Sequence, residues 1–346
     1  VRPLLLDGQP FTTTQARRAG LSPDRLDELV LRGEAVRVLR GVLLDARVPV
    51  DLAVRASALA LVAPPDTVVA GTTAAWLLGV PALLPGADRL PPVLEVVRPA
   101  GRSALRRSGV VARVAVLGDD EVVDLGGVPV TAPTRTALDL ARGLDRSDGL
   151  AYLDAMLGAR LVEREALEQG LEGLAGFPWV DQARELVALA DPRAESPGES
   201  WMRLRWHDAG LPPLELQVEV QVGDAVVARL DTALRERGFA LEYDGERWHG
   251  PEREAHDAHR RDRLRRVHGW TVLAVGKEAV LGRSDAFERA VAGAVDLVPE
   301  VVPWQRRRRT TLRDRRVRLR RAAEAREALG AASPTGDLHD RGRGAA

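Results

Sequence analysis

The sequence predicts an α/β multidomain protein: an N-terminal winged helix, a mixed α/β middle domain and a C-terminal αβ core with a mixed sheet. Three observations lead there. Capped helical segments followed by a short alternating stretch fill Phe11–Leu44. The stretch Val226–Val275 reads strand, tight turn, strand, helix, strand. Between the two, the run Asp191-Pro192-Arg193-Ala194-Glu195-Ser196-Pro197-Gly198 has the proline, glycine and charge content of a hinge.

Length and composition bound the possibilities. A chain of 346 residues has room for two or three domains, each with its own core. It contains no cysteine, which excludes disulfides and thiolate metal sites and agrees with the expected cytoplasmic location. Fifty basic residues balance fifty acidic ones, which argues against a general nucleic-acid coat and leaves charge distribution to decide. The opening VRPLLLDGQPF holds too short an apolar run for a secretory signal. Thr67–Ala87 is interrupted by Gly71, Gly79, Pro81 and Pro85, so it reads as a buried helix and loop, with no membrane span.

Residues 1–48 form the expected winged-helix DNA-binding domain. Thr12 or Thr13 caps a first helix through Ala19; Ser22 caps a second, whose Leu26, Leu29 and Val30 share a face and which Gly33 closes. Alternation over Ala35–Leu44 suits a β-wing. If the second helix enters the major groove, Ser22 and Arg25 lie at its exposed start, and Arg37 and Arg40 meet phosphate.

Residues 49–146 make the middle domain. Helices are expected at Leu52–Leu61, Thr72–Leu78 and Pro133–Ala141, and strands at Val93–Val97 and Val110–Val116. Residues 147–194 read as a helical connector whose apolar stripes are explained by core packing. Residues 304–346 form an arginine-rich tail, in which Arg306, Arg307, Arg308 and Arg309 open a basic run suited to phosphate contact.

The chemistry-bearing residues gather in 195–303. Pairing Leu234 with Phe239 sets Asp231 across from Glu242, with side chains roughly 5 Å apart. Asp244 shares the face of Glu242 by the two-residue period. Acids on a hairpin face are usually solvated, but opposed like charges are destabilising unless protonated, paired or bridged by a cation. Clustered carboxylates suit Mg²⁺ or Mn²⁺, which take oxygen ligands. Glu199 sits in the first turn of a helix capped at Ser196. His249 follows the second strand, and Arg260, Arg261 and Asp262 lie on the next helix.

The order Glu199, Asp231, Glu242-Tyr243-Asp244-Gly245, His249, Arg261-Asp262-Arg263-Leu264, Gly269-Trp270 resembles nuclease-like domains related to very-short-patch-repair endonucleases, within the PD-(D/E)xK restriction-endonuclease-like superfamily. The resemblance covers about Glu195 to Val280. It implies a restriction-endonuclease-like core, with Asp231 and Glu242 as metal ligands and Glu199, the acid of the first helix, as a further one. Asp244 stands where the common E-x-K has lysine, and Lys277 is the chain's only lysine. Under this reading the metal acidifies water and stabilises phosphate charge, Asp244 or His249 accepts a proton, and Arg261 orients the scissile phosphate.

A second resemblance covers most of Phe11–Arg142. The phrases FTTTQARRAGL, LRGEAVRVLRGVLL, AGTTAAWLLGVP and GVPVTAPTRTALDLAR are similar to the AbiEi-type antitoxin family. It implies a winged helix joined to a mixed αβ domain, acting as a repressor of its own toxin operon. The expected protein is therefore a metal-dependent DNA endonuclease or nickase, or alternatively an AbiEi-like regulator with a non-catalytic nuclease-like domain. Its expected partners are DNA, with a cognate toxin or second subunit, and no membrane.

Overall fold

The structure, a computed structural model, describes residues 8–80, 94–101, 110–245 and 251–300, with side chains from 257 in the last segment. Among these residues the chain forms three sheets, each mixed or antiparallel, joined by helices.

The winged helix comes first, as β1 (Phe11–Thr12), α1 (Thr13–Arg18), α2 (Pro23–Leu31), β2 (Ala35–Leu39) and β3 (Val42–Asp45). Thr12 caps α1 by accepting from Gln15 N at 3.0 Å, and the Gln15 side chain accepts from Thr12 N at 2.7 Å, closing a capping box. Ser22 caps α2, with Pro23 at the first helical position where a missing N–H costs nothing. The sheet order is β1-β3-β2, and Phe11, Ala16, Leu26, Leu29, Ala35 and Leu43 form its core.

The middle region holds α3 (Leu52–Ala60), β4 (Val68–Val69), α4 (Gly71–Leu77), β5 (Leu94–Pro99), β6 (Val110–Ala115), β7 (Val122–Asp124) and β8 (Pro129–Thr131). Its sheet runs β6-β5-β4-β8-β7, with two parallel and two antiparallel pairings. Then follow α5 (Pro133–Gly143), α6 (Arg146–Gly158), α7 (Arg164–Glu172) and α8 (Val180–Leu189).

The C-terminal sheet is assembled from α9 (Pro197–Asp208), β9 (Glu215–Val222), β10 (Ala225–Leu234), β11 (Phe239–Asp244), α10 (Pro251–His268) and β12 (Thr271–Gly276), followed by α11 (Lys277–Leu281) and α12 (Ala286–Ala294). Its order is β12-β11-β10-β9: two antiparallel hairpin pairings, then a parallel pairing whose crossover is α10. This is the mixed sheet the sequence predicts, with β9 added at its edge.

The run Asp191–Gly198 is not a free hinge. The buried Asp154 of α6 accepts from Asp191 N at 2.7 Å, from Ser200 Oγ at 2.7 Å and from Arg203 at 2.6 Å. Arg146 of α6 bonds Asp208 at the far end of α9 at 2.6 Å. One continuous core joins Leu150 and Met156 of α6 to Trp201 and Leu204 of α9, Leu241 of β11 and Phe287 of α12. The helical connector and the C-terminal sheet thus share one packed core.

Candidate carboxylate site

The β10–β11 hairpin adopts the expected register, with Leu234 opposite Phe239 and Thr232 opposite Leu241. Arg235–Arg237 make the turn, and Gly238 closes it at φ 56°, where an added Cβ would lie 2.6 Å from the Gly269 carbonyl oxygen. Only glycine meets both demands. Continued by one residue, this register sets Asp231 beside Glu242. There the Asp231 carboxylate accepts from Tyr243 N at 3.2 Å.

On the other side of β10, Gln217 falls opposite Asp231, between the Leu216–Thr232 and Val218–Leu230 pairs. Its backbone is left-handed, φ 53°, which is uncommon for a residue with a side chain. Gln217 Nε2 donates to Glu199 Oε2 at 3.1 Å, while Gln217 Oε1 is buried with no hydrogen-bond partner. The signal that places this glutamine on a strand is the unbroken alternation of apolar and polar residues over Glu215–Val222.

Glu199 is buried at the start of α9. Besides Gln217, it accepts from Ser196 Oγ at 2.8 Å and Glu195 N at 3.0 Å. Three donors offset the cost of burying its charge. The close packing of this helix start is visible at Gly198, where an added Cβ would lie 2.1 Å from the Tyr243 ring.

Glu242 is held by Arg260 of α10, with nitrogen–oxygen distances of 3.2 and 3.1 Å. Arg261 is the expected phosphate-orienting residue, but the side chain that reaches Glu242 is its neighbour Arg260. Successive helix residues point about 100° apart, so one step in sequence changes the face. Asp244 is exposed at the end of β11. It borders a cavity of about 620 Å³ that Gly276, Lys277, Glu278 and Ser284 also line. His249 lies outside the described residues, as do Arg306, Arg307, Arg308 and Arg309.

The Asp231 carboxyl is pushed up from 3.8 to about 6, first by burial, then by the negative charges of Glu199 and Glu242. The Tyr243 N–H and Arg260 act in the opposite direction and are outweighed. Between these two values the folded chain holds more protons than the unfolded one, so stability falls as pH rises through that window, and the loss is complete above about pH 6. Asp231→Asn removes the charge. After discounting for solvent screening at this half-buried group, it is expected to stabilise the protein by on the order of 1–2 kcal/mol at pH 8 and by little at pH 4. Urea melts at the two pH values check this; an equal effect at both would show that Asp231 carries no burdened charge.

All the donors here are oxygens, a set that fits a hard divalent cation. Any such ion would compete with Arg260 for Glu242. A tighter group lies elsewhere, where Glu185, His207 and Asp208 each bring a ligand atom within 4.8 Å of one another. Arg146 already pairs with both of those acids, which neutralises that group.

In the winged helix, Ser22 spends its hydroxyl on the cap of α2, accepting from Arg25 N at 3.2 Å. Arg25 pairs with Glu28 and Arg37 with Asp27, both acids of α2. Arg40 is exposed in the turn between β2 and β3. Phosphate contact by Arg25 or Arg37 would exchange a carboxylate partner for a phosphate one.

The AbiEi antitoxin C-terminal domain family matches residues 67–189. This range spans the second sheet and α5–α8, and so crosses the boundary the sequence reading drew at residue 146. The chain is 34% identical over 265 residues to the uncharacterized protein Rv2248 of Mycobacterium tuberculosis H37Rv, covering 74% of this chain and 90% of that protein. The uncharacterized protein MT2308 of strain CDC 1551 matches with the same identity and coverage. Among solved structures, the crystal structure of the RV2827C protein from Mycobacterium tuberculosis is similar at 21% identity, covering 56% of this chain and 74% of that chain, with a TM-score of 0.28. No helix among the described residues is long and apolar enough to cross a membrane. Residues 67–189 match the AbiEi antitoxin C-terminal domain family, and the chain belongs to the family of the mycobacterial proteins Rv2248 and MT2308.

Proposed function

We propose that the protein is a DNA-binding regulator of the antitoxin type. The observation that carries this reading is the AbiEi domain match immediately downstream of a winged helix. In this reading the winged helix binds an operator near the chain's own gene, and the AbiEi domain engages a cognate toxin. Ser22, Arg25, Arg37 and Arg40 are assigned to the DNA, with the tail arginines adding phosphate contacts. Fluorescence anisotropy on promoter DNA and on an unrelated duplex tests it. Binding is expected to favour the promoter and to weaken steeply with salt. Equal affinity for both duplexes would sink the operator assignment.

A second reading is favoured by the row Gln217, Asp231, Glu242 across three strands with Arg260 above it. It makes the C-terminal region a metal-dependent DNA endonuclease or nickase of the very-short-patch-repair-like type, in which Asp231 and Glu242, with Glu199, would hold Mg²⁺ or Mn²⁺. The bound ion would supply Lewis-acid stabilisation of phosphate charge and acidify water. Arg260, displaced from Glu242, would turn to the phosphate as a charge-assisted donor. Asp244 and His249 are the groups this reading assigns to proton acceptance. Supercoiled plasmid with Mg²⁺ or Mn²⁺, against EDTA and an Asp231→Ala/Glu242→Ala protein, tests it. Cutting that persists in the double variant removes these acids from the chemistry, and no cutting under any condition leaves the regulator reading alone.

A further inference from the structure

We infer that Gln217 Oε1 is a neutral oxygen ligand for a divalent cation held between Asp231 and Glu242. The inference deepens the second reading above and rests on it. Register carries the first part of the argument. Gln217 on β9 and Glu242 on β11 flank Asp231 from its two neighbouring strands, so the three form one row across the sheet.

Hydrogen bonding carries the second part. Both oxygens of Glu199 already receive donors, Ser196 Oγ and Glu195 N. What Glu199 takes from Gln217 must therefore be another N–H, which fixes the orientation of the amide. Gln217 Oε1 is then the atom left over, buried and without a donor. An unmet buried acceptor is destabilising, and native structures retain few of them. Its neighbour in the row is Asp231, with Glu242 one strand further, and an ionised carboxylate accepts without donating. A cation can satisfy all three at once.

The chemistry of the amide fits this role. A third acid at position 217 would set another like charge in the row beside Asp231 and Glu242. An amide carbonyl contributes a hard donor atom with no charge, as backbone and side-chain carbonyls do in oxygen-ligated sites. The left-handed backbone at Gln217 agrees with a side chain held where local preference would not put it.

The test is calorimetric titration of Mn²⁺ into the EDTA-treated full chain at pH 7.5, with the parent, Gln217→Leu, Gln217→Glu and Asp231→Asn proteins. Gln217→Leu is expected to weaken Mn²⁺ binding about tenfold or more; it also takes one of the three donors from Glu199, so the metal-free melting temperature is expected to fall modestly. A purely structural role would lower the melting temperature and leave the affinity unchanged, so the affinity is the deciding readout. Gln217→Glu restores an oxygen and is expected to bind at least as tightly as the parent. Parent-like affinity in Gln217→Leu overturns the inference. If that variant does not fold, weaker binding in Gln217→Glu overturns it instead. Asp231→Asn separates the two levels: parent-like affinity there removes the carboxylate site and the inference together, whereas lost affinity there with Gln217→Leu unaffected removes the inference alone.

Discussion

Arg205→Ala is expected to destabilise the protein by about 3–5 kcal/mol, the range for removing one partner of a buried ion pair. Arg205 and Glu288 are both buried, and the guanidinium lies 2.7 Å from the Glu288 carboxylate. The same arginine donates to the carbonyls of Ala279, Val280, Gly282 and Ser284, which close α11 and lead into α12. Alanine would remove this donor from a buried carboxylate and from four carbonyls. At about 2–4 °C per kcal/mol for a domain of 150–250 residues, the melting temperature should fall by roughly 10 °C.

A double variant, Arg205→Met with Glu288→Leu, separates the two contributions. Replacing a buried pair by apolar residues is often neutral. Here the carbonyls remain unmet, so the double variant should recover only part of the loss. Full recovery would mean that the carbonyl contacts contribute nothing, and a drop under about 1 kcal/mol for the single variant would show that the pair is not buried as described.

Asp154→Ala is expected to cost a similar 3–5 kcal/mol and to loosen α9. It removes the acceptor for Asp191 N, Ser200 Oγ and Arg203, leaving a mostly buried guanidinium without its carboxylate. Asp154 belongs to the AbiEi-matched range, whereas Ser200 is the residue after Glu199. The variant therefore reports on the join between the two halves as well as on stability. Backbone amide exchange should rise through Glu195–Trp201 ahead of global unfolding. Exchange that stays at the parent level there would show that the shared apolar core, without Asp154, sets the position of α9.

Much of the fold was legible because its signals are local. Thr12 and Ser22 cap helices through groups three residues away, and the turn at Gly238 with alternation on either side set the β10–β11 register. The two-residue strand β4 went unread because so short a segment has no period to detect. Strand β9, and with it Gln217, is marked in the sequence by the alternation over Glu215–Val222.

Composition and local pattern by themselves determined the mixed α/β class, the winged helix and the meeting of Asp231 with Glu242. Tertiary structure decided which partners those acids have. Arg260 meets Glu242 across 18 residues of sequence, Arg203 meets Asp154 across 49 and Arg205 meets Glu288 across 83. Such pairs depend on how helices rotate and dock once their apolar faces are buried, and a change of one helix position turns a side chain by about 100°. A cap or a strand period is completed within a few residues, so the chain states it directly; a buried ion pair is settled only when both elements are in place.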